Sequence, residues 1–146
     1  MTTAFDADVL IYAAAPAHPL GPRVAALFDE DPAGGAGGPA GFGSLLLLPE
    51  VLAKPLREGA ADEVRALSAL LARLELRPLD RAIASLAVVL AANHRLRAAD
   101  ATHLATAVSL GADRFLTNNQ RDFPADIDEI QVTYPEDLPE PVRAAT

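Results

Sequence analysis

The sequence predicts an α/β fold built on a parallel sheet. Three observations carry that expectation. Short apolar runs at residues 4–5, 44–48, 113–116 and 130–134 read as strands. Between them lie longer segments with apolar residues at helical spacing. The resulting order is β, α, β, four helical segments, β, β, and strands with interposed helices form parallel α/β sandwiches.

Residues 4–13 form an apolar run interrupted by Asp6 and Asp8, and its start reads as a buried strand. Residues 18–31 place Val24, Leu27 and Phe28 at helical spacing. Residues 33–43 are a glycine- and proline-rich connector. A β-like run at 44–48 follows, and Pro49 suits the first turn of the next helix, with Glu50 beside it. Residues 61–76 carry Val64, Leu67, Leu70, Leu71 and Leu74, one apolar helix face. Asp80 is an N-cap for a helix through Ile83, Leu86 and Leu90 to His94. A further helix spans 98–110, closed by Gly111. Strands at 113–116 and 130–134 complete the domain, which is expected to span 1–135, with a loose tail at 136–146.

The length of 146 residues suits one domain with a real core. A composition 51% hydrophobic and 22% charged excludes an intrinsically disordered chain. With no cysteine, a disulfide scaffold, an Fe–S site and a thiol nucleophile are excluded. The apolar run 86–92 is far shorter than the ~20 residues of a spanning helix, and the N-terminus lacks the basic and apolar regions of a signal peptide. The expectation is a cytoplasmic protein with no membrane contact. Net charge is −8, which argues against a nucleic-acid partner unless carboxylates hold a divalent metal that supplies local positive charge.

Three acidic sites share a location. Asp6 and Asp8 follow the first strand, Glu50 opens the helix after the second, and Asp100 opens the helix after Arg95-Leu96-Arg97. In a parallel sheet the carboxyl ends of the strands share one edge, so these acids can converge. Clustered carboxylates repel one another unless protonated or bound to a cation, and Mg²⁺ or Mn²⁺ takes oxygen ligands. Structural readings stand beside this one. Asp8 suits a turn or cap; Glu50 and Asp100 also complement helix dipoles. His103, one turn after Asp100, reads as packed core or as a support for another side chain. Asp6 inside an apolar run has no comparable structural reading. The glycines at 34–38 lack the Gly-Lys-Ser/Thr ending of a phosphate loop, and no Gly-x-Ser-x-Gly elbow is present.

Four stretches resemble PIN-domain nucleases, and within them the VapC-type toxins of bacterial toxin–antitoxin pairs. Phe5-Asp6-Ala7-Asp8-Val9-Leu10-Ile11-Tyr12 is similar to the opening Asp-x-Asn/Asp strand. Ser44 to Leu52, with Glu50, resembles the second strand and its helix-opening glutamate. Asp100-Ala-Thr-His103-Leu-Ala resembles the third acidic motif, and Thr117-Asn118-Asn119-Gln-Arg-Asp122-Phe123 the fourth. The run from Ile130 to Pro135 is similar to the last strand and its proline. The resemblance implies a PIN-like three-layer α/β/α sandwich and a Mg²⁺- or Mn²⁺-dependent endoribonuclease. Asp6, Glu50 and Asp100 are then metal ligands and catalytic, with Asn119 at the fourth catalytic position and Asp8, Thr117 and Asp122 in support. Lys54, Arg57 and Arg121 lie near these motifs and suit RNA backbone phosphates. The resemblance further implies a homodimer and a cognate antitoxin protein.

One departure is plain. Asn119 stands where that fourth motif often has Asp, and its amide offers an oxygen but no charge. A second metal is then weakly held unless nearby Asp122 supplies the charge. The alternative is a degenerate PIN domain that binds RNA or a protein without cutting. A phosphatase of the haloacid dehalogenase type, suggested by Asp6-x-Asp8, is disfavoured by Leu10 where Thr or Val is expected.

Overall fold

The structure is a computed structural model and describes residues 1–29 and 38–141. The elements run β1 (Thr3–Phe5), α1 (Ala7–Ala13), α2 (Gly21–Asp29), β2 (Gly41–Ser44), α3 (Leu47–Arg57), α4 (Ala61–Ala72), β3 (Leu74–Arg77), α5 (Arg81–His94), α6 (Ala98–Ser109), β4 (Arg114–Leu116) and β5 (Gln131–Thr133), followed by a 3₁₀ turn at Pro135–Asp137. The sheet order is β3-β2-β1-β4-β5, and all four pairings are parallel. The chain steps outward from β1 to β2 and β3, then returns past β1 to β4 and β5. This reversal opens a crevice at the carboxyl ends of β1 and β4, the usual ligand position in an open parallel sheet.

Strand alternation sorts the core into two halves, one on each face of the sheet. Ala4, Phe115 and Val132 are in register and belong to a cluster with Ile83 and Leu90 of α5 and Leu104 of α6. Phe5 and Leu116, one residue on, belong to a second cluster with Val9, Val24, Leu47 and Leu67 from α1 to α4. This is the expected three-layer α/β/α arrangement. Each fully buried Leu or Phe contributes roughly 1.5–3 kcal/mol, so three-residue β1 is held chiefly by burial and by pairing on both edges.

Several boundaries differ from the sequence expectation. The second strand is Gly41–Ser44, not 44–48. The Ser44 hydroxyl accepts from the Leu46 N–H at 3.1 Å, which turns the chain, and Leu47 already begins α3. The strand therefore takes the end of the expected connector; residues 33–37 of that connector lie outside the described residues. The helix expected over 61–76 ends at Ala72, and Leu74–Arg77 pairs with β2 as an edge strand. Leu74 continues the helical spacing of Leu67 and Leu71, which hid the change. Asp80 caps α5 as expected, accepting from the Ile83 N–H at 2.8 Å. Gly111 follows α6 with φ +66°, the left-handed conformation that glycine adopts without strain. Of the expected loose tail, Leu138 is buried, and the Arg23 guanidinium donates to the carbonyls of Glu136 and Leu138, both at 2.9 Å. Those residues pack on α2; residues 142–146 lie outside the described residues.

Gly41 packs directly against β1. A Cβ there would lie 2.6 Å from the Thr3 carbonyl oxygen. Gly41→Ala is expected to destabilise the fold by about 1–3 kcal/mol, read as a lower urea midpoint with an unchanged slope.

Candidate active site

The crevice between β1 and β4 collects side chains from four separate stretches. β1 ends at Phe5, and Asp6 is the N-cap of α1, with backbone φ −85° and ψ 164°. Its N–H still continues the sheet, donating to Leu116 O at 2.9 Å. Its Oδ1 accepts from the Ala7 N–H at 2.8 Å, and its Oδ2 accepts from the Thr117 hydroxyl at 2.8 Å. Asp6 is only 6% exposed. Asp8, in the first turn of α1, accepts the Asn118 N–H on Oδ2 at 3.0 Å, while its Oδ1 is buried with no hydrogen-bond partner among the described residues.

α3 brings in Glu50 and α6 brings in Asp100, each in the first turn of its helix. The Glu50 Oε1 lies 3.0 Å from the Nε2 of His103, which is 2% exposed. His103 thus links α6 to α3 directly across the crevice and fixes the glutamate.

The loop after β4 closes the site. The Asn119 N–H donates to the Thr117 Oγ1 at 3.1 Å. The Asn119 side chain is engaged with Asp122: its Nδ2 donates to Oδ2 at 3.0 Å, and its Oδ1 accepts the Asp122 N–H at 3.3 Å. Both polar ends of the amide are therefore spent within the loop, and Asp122 is the carboxylate this loop presents.

The electrostatics tie these residues into one group. Burial pushes the Asp6 carboxyl above the usual carboxylate value and Glu50 adds to this, while His103, the Thr117 hydroxyl and the Ala7 N–H act the other way. Burial, then the charges of Asp6 and Asp100, push Asp8 up to about 7. Asp100 is also raised, by burial first and then by Asp6, Asp122 and Glu50. Burial works against a charge on His103, yet the Glu50 hydrogen bond and the fields of Asp6, Glu50 and Asp100 outweigh it and raise its pKa. Asp6, Asp8, Glu50, Asp100, Asp122 and His103 therefore share one field.

Among the described residues no group of three such side chains is already gathered at metal-ligand spacing. The donor chemistry nonetheless fits a hard divalent cation. The donors are carboxylate oxygens, one of them, Asp8 Oδ1, is buried and unpartnered, and the cluster is under mutual repulsion that a cation relieves.

The basic residues singled out from the sequence sit at the margin. Lys54 lies one turn beyond Glu50 on α3, Arg57 nearly two turns beyond, and Arg121 between Asn119 and Asp122. All three are exposed, and none forms an ion pair among the described residues. Two side chains at the rim escaped sequence reasoning. Tyr12, one turn after Asp8, accepts from the Asn118 Nδ2 at 3.2 Å, and its ring stacks on His18. Their only sequence signal is the four-residue step from Asp8 to Tyr12.

With this geometry in view, three comparisons with known proteins are informative. The family model for the PIN domain matches residues 4–128. No curated protein matches the chain. Among solved structures, a toxin–antitoxin complex from Klebsiella pneumoniae is similar with a TM-score of 0.69 at 24% identity, over 92% of this chain and 98% of that one. At that identity the likeness speaks for the fold.

The raised carboxyls set a pH dependence. Asp6, Asp8 and Asp100 bind a proton more tightly folded than unfolded, so their contribution is full below the unfolded value of 3.8 and is lost as pH rises, for Asp8 through about 7. His103, also raised, loses its contribution as pH climbs above 6.5 through its folded value. The metal-free protein is expected to melt at lower temperature at about pH 8 than at about pH 5. Asp8→Asn should recover about 2 kcal/mol of that loss. A melting temperature flat across this range, in protein stripped with chelator, contradicts the reading.

Proposed function

The chain belongs to the PIN domain family, and from that premise we propose that it is a divalent-metal-dependent endoribonuclease and the toxin of a toxin–antitoxin pair. One observation carries this reading. Acids from the β1–α1 junction, α3 and α6, far apart in sequence, meet at the sheet's reversal and raise or are raised by one another's charge. A fold gains no stability from such a cluster, so a ligand that needs it is the economical explanation.

Asp6, Glu50 and Asp100 would hold Mg²⁺ or Mn²⁺, with Asp8 in support. A cation held there supplies an activated water and offsets the charge that builds on a phosphate undergoing in-line displacement. The chain's own residues do the rest. The Thr117 hydroxyl fixes the Asp6 carboxylate from one side and the Ala7 N–H from the other, so Asp6 keeps one orientation. His103 holds Glu50 toward the crevice. Asn119 orients Asp122, which takes the place of a carboxylate at 119 and adds its charge beside Asp100. Lys54, Arg57 and Arg121 would meet backbone phosphates along the rim, their charges without an ion-pair partner among the described residues.

The partners follow the same reading. The similar solved structure is a toxin–antitoxin complex, which supports a cognate antitoxin for this chain. A homodimer is part of the proposal: Val88 and Val89 on α5 are 69% and 52% exposed, apolar surface that a second copy can cover. No helix among the described residues is long and apolar enough to cross a membrane. A second reading, a PIN domain that binds RNA without cutting it, is favoured by one feature, the neutral Asn119 in place of a fourth acid.

Cleavage of single-stranded RNA with and without Mn²⁺ separates the two. The protein is expected to cut with Mn²⁺ or Mg²⁺ and to stop with chelator. Asp6→Asn and Asp100→Asn should each lower the rate by roughly 100-fold or more while keeping the fold. Unchanged cleavage by well-folded Asp100→Asn protein overturns the mechanism. For the fourth position, calorimetric titration with Mn²⁺ should show weaker binding by Asp122→Asn. Asn119→Asp sets a carboxylate against Asp122 Oδ2 and should unsettle the loop without metal. Unaltered Mn²⁺ affinity in Asp122→Asn removes Asp122 from the site.

A further inference from the structure

The rim of the crevice carries an ordered aromatic pair that the acid chemistry does not use. Tyr12 shares a helix face with Asp8, one turn away. His18 lies in the loop to α2, where its N–H closes a turn onto Ala15 O at 3.0 Å. The two rings are stacked, with centroids 3.9 Å apart and planes within 8°. Neither ring belongs to the two core clusters, and both are half-buried at the surface.

The pair is tied to the acids through a single residue. Asn118 gives its side-chain amide to the Tyr12 hydroxyl at 3.2 Å and its backbone N–H to Asp8 at 3.0 Å. Its neighbour Thr117 holds Asp6. His18 is fixed as well: its Nδ1 accepts from the Leu20 N–H at 3.1 Å, which leaves the ring proton on Nε2. Among the described residues neither the Tyr12 hydroxyl proton nor the His18 Nε2–H has an acceptor. Two rigid π-faces and two unused donors therefore stand beside the acids, ordered before any ligand arrives.

We propose that the stacked Tyr12–His18 pair is a nucleobase subsite, which takes a base of single-stranded RNA next to the cleaved phosphodiester. The inference rests on the ribonuclease reading above. Aromatic rings bind single-stranded nucleic acid by stacking, whatever the base. The two donors favour bases or sugars that present an oxygen acceptor at the ring edge. A chain of net charge −8 has little long-range attraction for RNA. Contacts that do not depend on charge are the ones it needs.

The test is steady-state cleavage, with Mn²⁺, of a fluorescein-labelled single-stranded RNA of about 12 nucleotides, its cleaved bond mapped first. An abasic site is then moved through the positions around that bond. In the parent protein one flanking abasic position should raise KM about 10-fold with a smaller change in kcat. His18→Ala and Tyr12→Leu should raise KM on intact RNA by a similar factor and lose their response to that abasic site. Tyr12→Phe, which keeps the ring, should retain most of the response. A parent protein indifferent to every abasic position overturns the subsite without recourse to any variant, so misfolding of Tyr12→Leu leaves the test intact. Folded variants with unaltered KM, or with the abasic response undiminished, overturn it too. If the parent cuts no RNA with either metal, the ribonuclease reading itself fails; if it cuts and only the abasic and variant results fail, the subsite alone is wrong.

Discussion

A buried carboxylate must be given partners, and the way Asp6 is given them organises this molecule. Its N–H extends the β1–β4 ladder, Oδ1 caps α1, and Oδ2 receives the Thr117 hydroxyl. Strand, helix and loop therefore meet on one side chain. The arrangement is possible only because β1 lies between β2 and β4 with the chain reversing beside it. Placed at the end of an edge strand, the same residue would face water and hold nothing in position.

The rest of the crevice follows from that burial. Removing Asp6 from water raises the free energy of its charge, and each further acid adds to the strain. The sequence answers with one buried histidine, His103, set against Glu50 rather than against Asp6 itself. The loop after β4 makes a different adjustment. It places an amide at 119 and a carboxylate at 122, joined by two hydrogen bonds. An amide can donate to a neighbouring carboxylate where a second carboxylate would repel it. The charge is thus moved by one turn of the loop, to a position where it still acts on Asp100.

Much of this is legible in the sequence, and what is not has physical causes. Asp6 stood out because an acid within an apolar run has no bland explanation. Asp80 and Gly111 were legible because caps depend on local chemistry. The second strand escapes the sequence because its residues, Gly41-Phe42-Gly43-Ser44, look like the end of a glycine-rich connector. The missing side chains of Gly41 and Gly43 make room for β1 and for Leu47 respectively, a long-range requirement that no local pattern reveals. Leu74–Arg77 was hidden because a leucine at helical spacing can equally begin a strand. The convergence of the acids followed from the parallel sheet, but the Asn119–Asp122 bond and the Tyr12–His18 stack did not. Both depend on loop geometry, which composition leaves open.

Part of the chain's acidic balance then comes from the site, and under the proposed function that part is no argument against nucleic acid. Six titratable groups share the crevice, five of them acids. In that state the crevice repels phosphate, and under the proposed function it would accept a polyanion only after a cation had inverted the local field. The basic residues cannot do this from the rim. Lys54, Arg57 and Arg121 are exposed, and charges in water are screened within about 10 Å at ordinary salt. Under the proposed function their reach would extend to a strand already engaged, not to one approaching from solution. Under the proposed function, short-range forces would choose and hold the strand, and the charged centre would act on it last. That order matches the geometry, with rings and arginines outside and carboxylates within.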